Sequence, residues 1–228
     1  MIYIGAWHKT GTNAIKVLFR KYREKADLDF KFKSKLDTNL NYFIIENTKV
    51  VVCIRNPYEI IMSGMRYHQK TKEKWCLRPN DRYNGVSYRD HISSIESIEE
   101  KILFEMKEQG YLTITNMYNF VKDKTQYEVY SKTNKIHNIN DTIKFIKLEQ
   151  FMTASGREEI IDIITSHIPT LDKQLLSECI TVHGKKKFNS TNPHFNYTYQ
   201  DYFTDGLYKE FDNLFPDDLF DVLGYSRK

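Results

Sequence analysis

At 228 residues, with 40% hydrophobic and 28% charged side chains, the chain has the length for one domain with a sizeable core and is too apolar for a disordered protein. A net charge of +4 suits an anionic small ligand and does not supply the basic footprint of a dedicated nucleic-acid binder. Three widely spaced cysteines, Cys53, Cys76 and Cys179, fit neither a disulfide framework nor a zinc site and point to a reducing compartment.

In chain order, the apolar run from Ile2 to Ala6 breaks at Gly5 and reads as a buried strand. It gives way at once to His8 and Lys9, which leaves it too short for a secretory signal. No stretch reaches transmembrane length, so a cytoplasmic protein without stable membrane insertion is expected. From Thr12 to Tyr22 the apolar positions Ile15, Leu18, Phe19 and Tyr22 share one helical face. Leu28 to Phe32 alternates as a second strand. Val50 to Ile54 is continuously apolar, as a central parallel strand buried on both faces must be. Arg55-Asn56-Pro57 ends it, and Tyr58 to Gln69 reads as a helix with proline near its first turn.

Residues 70–94 are polar and irregular, either an insertion covering the active site or a plain surface loop. Ile95 to Val121 is helical with a break near Gly110, and Thr142 to Leu148 is another strand. Glu158 to Ile168 and Leu171 to Val182 are helices separated by Pro169, and Leu207 to Leu223 closes the chain as a helix pair. Strands alternating with helices predict an α/β fold with a central, mostly parallel sheet flanked by helices. Without repeat or linker, residues 1–228 read as a single domain.

Two segments carry chemistry. In the first, Gly5 to Asn13, a strand runs into a helix through His8, Lys9, Thr10, Gly11, Thr12 and Asn13. Such a turn aims backbone N–H groups and a helix dipole at one point and binds phosphate, unless it is a strand-to-helix turn without a ligand. Lys9 adds charge, and Thr10, Thr12 and Asn13 add side-chain donors. An ATPase-type P-loop needs its lysine after the last glycine, whereas Lys9 precedes Gly11. In the second segment Arg55 ends a buried strand at its carboxyl edge, where open α/β sheets bind ligands, and Ser63 follows two helical turns later. A guanidinium fork with a hydroxyl suits a terminal phosphate, although a strand-end arginine also pairs with structural carboxylates.

In this order and spacing the two segments resemble the sulfotransferase family, whose P-K-x-G-T-T-like loop binds a 5′-phosphosulfate and whose R-[DN]-P…S element binds a 3′-phosphate. Lys147-Leu148-Glu149-Gln150-Phe151 looks like the family's strand ending in a Y-E-D-like triplet, and Leu223-Gly224-Tyr225 like its terminal fGY-like ending. The resemblance implies a three-layer, P-loop-like fold. It also implies a sulfotransferase moving a sulfuryl group from 3′-phosphoadenosine 5′-phosphosulfate (PAPS) to a hydroxyl or amine acceptor, without a metal. His8, Lys9, Thr10, Gly11, Thr12, Asn13, Arg55 and Ser63 would hold the donor, and Lys9 would also act in catalysis. Gly184 to Asn189 resembles the family's basic element near the C-terminus, so Lys185 and Lys186 join the donor set or form a solvated lysine cluster.

The acceptor needs a general base, for which Asp37 is the first candidate, followed by His68 and His8. A P-loop-type nucleotide kinase or hydrolase and a non-catalytic nucleotide-binding module are the alternative readings. The first implies magnesium and ATP; the second implies a basic stripe with steep salt dependence.

Overall fold

Strand β1 (Ile2–Ala6) forms where four of five consecutive residues lose nearly all contact with solvent. It is the second strand of a four-stranded sheet in the order β2-β1-β3-β6, with β2 at Phe30–Lys33, β3 at Lys49–Ile54 and β6 at Ile143–Lys147. All three pairings are parallel, with Ala6 opposite Cys53 and Ile54 opposite Lys147. Parallel strands need cover on both faces. The computed structural model describes residues 2–26, 30–33, 49–126, 128–130, 136–138, 142–184 and 198–227. Asp37, Lys185 and Lys186 lie outside the described residues.

The chain divides into two compact units, Met1–Asn56 with Asn116–Phe188, and Pro57–Thr115 with Asn189–Lys228. The first holds the sheet. Helix α1 (Thr12–Lys25) lays Ile15, Leu18, Phe19 and Tyr22 on one sheet face. Helices α6 (Ala154–His167) and α7 (Lys173–Gly184) join it there through Ile160, Ile164, Leu176 and Ile180. Each large aliphatic or aromatic side chain so buried contributes about 1.5–3 kcal/mol. The Tyr22 hydroxyl accepts the Asp172 amide at 2.8 Å, tying α1 to the start of α7.

The pleat sends Val52 and Phe145 to the other face, where Phe120 meets Phe145 edge-on at 6.3 Å. Phe120 belongs to α5 (Tyr111–Gln126), of which residues 116–126 lie in this unit. Helix, sheet and helix give the three layers of an α/β P-loop-like fold, as the sequence predicts. A short antiparallel pair, β4 (Glu128–Tyr130) with β5 (Ile136–Asn138), has no counterpart in the sequence reading.

The second unit contains α2 (Pro57–His68), α3 (Tyr88–Ser94), α4 (Ile98–Glu105), α8 (Asp205–Leu214) and α9 (Leu219–Leu223). Tyr58 sits at its aromatic centre, with ring centroids 4.6 Å from Phe211, 4.9 Å from Tyr199 and 5.0 Å from Phe220. The break read near Gly110 is a π-helical turn over Met106–Gly110. Within the polar stretch 70–94, Ser87 caps α3 by accepting the Asp90 amide, and a 3₁₀ turn forms at Asp81–Tyr83.

Candidate functional site

In the strand order β2-β1-β3-β6, successive connections from β1 and β3 diverge to opposite sides, so β1 and β3 flank a topological switch point. Ligands of open α/β sheets bind outside the carboxyl ends of such strands. The segment after β1 is Trp7 to Gly11, and the segment after β3 is Arg55-Asn56.

The first loop closes around the backbone of Trp7. The Trp7 carbonyl accepts from the Thr10 amide at 3.3 Å, the Thr10 hydroxyl at 3.0 Å and the Thr12 hydroxyl at 2.9 Å. The Trp7 N–H donates to Thr10 Oγ1 at 2.8 Å. Thr10 is fully buried. Its hydroxyl therefore serves the closure of the loop, whereas the sequence pattern sets it among the anion donors. The Trp7 ring anchors the turn in the core, edge-on to Phe120 at 5.2 Å.

Two residues of the loop turn through positive φ, Lys9 at 63° and Gly11 at 104°. A Cβ on Gly11 would stand 2.8 Å from Cys53 Sγ and 2.9 Å from Leu148 Cδ1, so both conformation and space require glycine. Gly11 occupies the N-cap of α1 and gives the helix no side-chain cap. The first helical hydrogen bond runs from the Ile15 amide to the Gly11 carbonyl at 3.0 Å. The amides of Thr12, Asn13 and Ala14 precede it and have no intrahelical acceptor, the donor arrangement that favours anions at helix N-termini. His8 and Lys9 are half-buried beside it, and Asn13 is exposed.

Arg55 reaches this loop. Its Nη1 donates to the Lys9 carbonyl at 3.1 Å, bringing the two cationic residues singled out in the sequence to one sheet edge. A third strand end adjoins them, since Glu149 Oε1 accepts the Asn56 amide at 3.0 Å. Burial pushes the Cys53 thiol up, Glu149 adds to the rise and Arg55 opposes it. No spacing rule links Glu149 to Asn56, 93 positions apart, and the sequence reading gives Glu149 no role of its own.

Ser63 is half-buried on α2 in the second unit. His68, a base candidate from the sequence, is fully buried there, with Nδ1 2.8 Å from Glu105 Oε2. The Tyr88 hydroxyl donates to the same oxygen at 2.9 Å. Gly64 makes room for Glu105, whose Oε1 lies where a Cβ would be. This is an interior polar cluster, and it encloses the imidazole rather than presenting it to an acceptor. Among the described residues no group of three or more His, Cys, Asp or Glu is placed to hold a metal ion. No helix among them is long and apolar enough to cross a membrane.

The crystal structure of mouse sulfotransferase SULT7A1 complexed with PAP superposes on 99% of this chain and 88% of its own, with a TM-score of 0.51 and 12% sequence identity. The fold is sulfotransferase-like. No protein-family profile matches the chain, and no curated protein matches it in sequence. The likeness is therefore one of architecture.

Proposed function

We propose that the protein is a PAPS-dependent sulfotransferase acting on a hydroxyl or amine acceptor. The observation that carries this reading is the Arg55–Lys9 contact, Nη1 to carbonyl oxygen at 3.1 Å, at the switch point of the sheet. It sets a strand-end guanidinium against a strand-to-helix loop whose helix starts without a side-chain cap. Guanidinium, ammonium and uncapped amides form a donor set suited to phosphate groups. The sulfotransferase-like fold supports the same reading.

PAPS, when bound, supplies an activated sulfuryl group on a 5′-phosphate that accumulates negative charge as the sulfuryl group departs. The amides at the start of α1 would hold that phosphate, and Lys9 would neutralise the growing charge, often the largest catalytic contribution in such transfers. Arg55 would bind the 3′-phosphate, with Lys185 and Lys186 as further donors. Asp37 keeps its proposed role of receiving the acceptor proton, which requires burial to raise its pKa towards neutrality. Thr10 would act from beneath, keeping the loop closed.

The test is a comparison of ligands in thermal unfolding. Adenosine 3′,5′-bisphosphate at about a hundred times its Kd should stabilise the protein by roughly 2.7 kcal/mol, a rise on the order of 5–10 °C. Adenosine 5′-phosphate, lacking the group for Arg55, should do much less. Equal shifts from both nucleotides refute the 3′-phosphate assignment.

A further inference from the structure

The donor-site reading leaves Glu149 without a task. It stands in the 3₁₀ turn Leu148–Met152 directly after β6, and its Oε1 accepts the Asn56 amide at 3.0 Å. Asn56 follows Arg55, whose Nη1 holds the Lys9 carbonyl at 3.1 Å. The two hydrogen bonds thus link the ends of β6, β3 and β1, in the order in which those strands lie in the sheet.

Each end of this chain of contacts needs the restraint. Lys9 has φ 63°, a region a non-glycine residue keeps only where its surroundings over-determine it, and a guanidinium on its carbonyl is one such constraint. Arg55 and Asn56 directly follow Ile54, the last residue of β3. Glu149 accepts the Asn56 amide from a stiff support. Gln150 Oε1 accepts the Lys147 amide at 2.7 Å, Phe151 is buried, and Arg157 Nη1 donates to the Phe151 carbonyl at 3.0 Å. The same turn supports the loop directly, because Leu148 packs where a Gly11 side chain would have to go.

We propose that Glu149 is the positioning residue of the Arg55–Lys9 contact: its carboxylate fixes the Asn56 backbone and so aims the guanidinium that holds the Lys9 loop. Its effect on donor binding rests on the sulfotransferase reading. Its effect on the loop does not.

Two variants in the full chain test it. Glu149→Ala removes the acceptor, whereas Glu149→Gln keeps an oxygen able to take the Asn56 N–H. Site-resolved amide exchange should accelerate in Glu149→Ala at Asn56 and at Thr10, while β1 and α6 stay protected. Calorimetry with adenosine 3′,5′-bisphosphate should show affinity lowered about tenfold in Glu149→Ala, in line with a hydrogen bond to a charged group. Glu149→Gln should stay within about threefold of wild type on the same grounds. Unchanged exchange at Thr10 in Glu149→Ala, or equal weakening in both variants, overturns the proposal. Wild-type protein that fails to bind the bisphosphate overturns the sulfotransferase reading instead, and the exchange comparison then decides the role of Glu149 alone.

Discussion

Replacing Gly11 with alanine tests whether the loop is held from below as well as from above. The native residue has φ 104° and ψ 17°, where an L side chain costs about 1–2 kcal/mol. The new Cβ would also meet Cys53 Sγ at 2.8 Å and Leu148 Cδ1 at 2.9 Å. Leu148 can yield at its tip, but Cys53 belongs to β3 and is fully buried, so relief must come partly from the loop. Overpacking of this kind adds about 1–3 kcal/mol, for a total of about 2–5 kcal/mol. For a chain of this size each kcal/mol lowers Tm by about 2–4 °C, so a fall on the order of 5–15 °C is expected in a thermal melt. Gly85→Ala is the control, since Gly85 has φ 81° with nothing within 4 Å of its would-be Cβ and exposes the backbone cost alone. If Gly11→Ala melts no lower than Gly85→Ala, the contacts with Cys53 and Leu148 carry no energy and the tight seating of the loop is refuted.

Lys9→Ala should lower kcat by about 10²–10³, the cost of removing one transition-state donor, while Arg55→Ala should mainly raise the KM for PAPS; steady-state kinetics with normal turnover and donor affinity in both would refute the donor site. Glu105→Ala strands buried His68 and Tyr88, and urea unfolding should show a loss on the order of 3–5 kcal/mol, as for other broken buried pairs. Burial pushes the His167 imidazole below its ordinary value, against a raising contribution from the Thr142 carbonyl 2.9 Å from Nε2. A histidine kept neutral by folding gives its full stability above the unfolded pKa of about 6.5 and loses it as pH falls from there. The stability difference between wild type and His167→Gln should therefore shrink on acidification through that range, and a difference that grows would refute the sign.

The elements that position the site are legible because each carries its own local signal. The apolar runs of β1 and β3 and the face of α1 made by Ile15, Leu18, Phe19 and Tyr22 all appear where the pattern puts them. Helix α6 begins at Ala154, ahead of the expected Glu158, because Thr153 accepts the Gly156 amide and starts the helix on residues without apolar periodicity. Helix α3 is hidden for a similar reason, having only Tyr88 and Ile92 on its buried face. Within the loop, Lys9 and Gly11 stand out by residue type. The inward turn of the Thr10 hydroxyl depends on backbone angles that no spacing rule encodes. The Glu149–Asn56 and His68–Glu105 bonds join residues brought together only by the tertiary fold.

This division of labour within the loop bears on what the proposed donor site can discriminate. The Trp7 carbonyl takes three hydrogen bonds, two of them from threonine hydroxyls, so the Thr10 and Thr12 hydroxyls are spent on shape. The charged groups proposed to meet an anion there are Lys9 and Arg55, beside the first amides of α1. Hydroxyl donors can rotate to suit different ligands, whereas amides fixed by a strand-to-helix turn and a guanidinium tied to the Lys9 carbonyl cannot follow a displaced phosphate. Such a site selects by the separation of the anionic groups rather than by their number. A nucleotide with a single phosphate group can satisfy either the loop or the guanidinium, and the preorganisation that favours two anions at a fixed spacing gives the second half of the site nothing to bind.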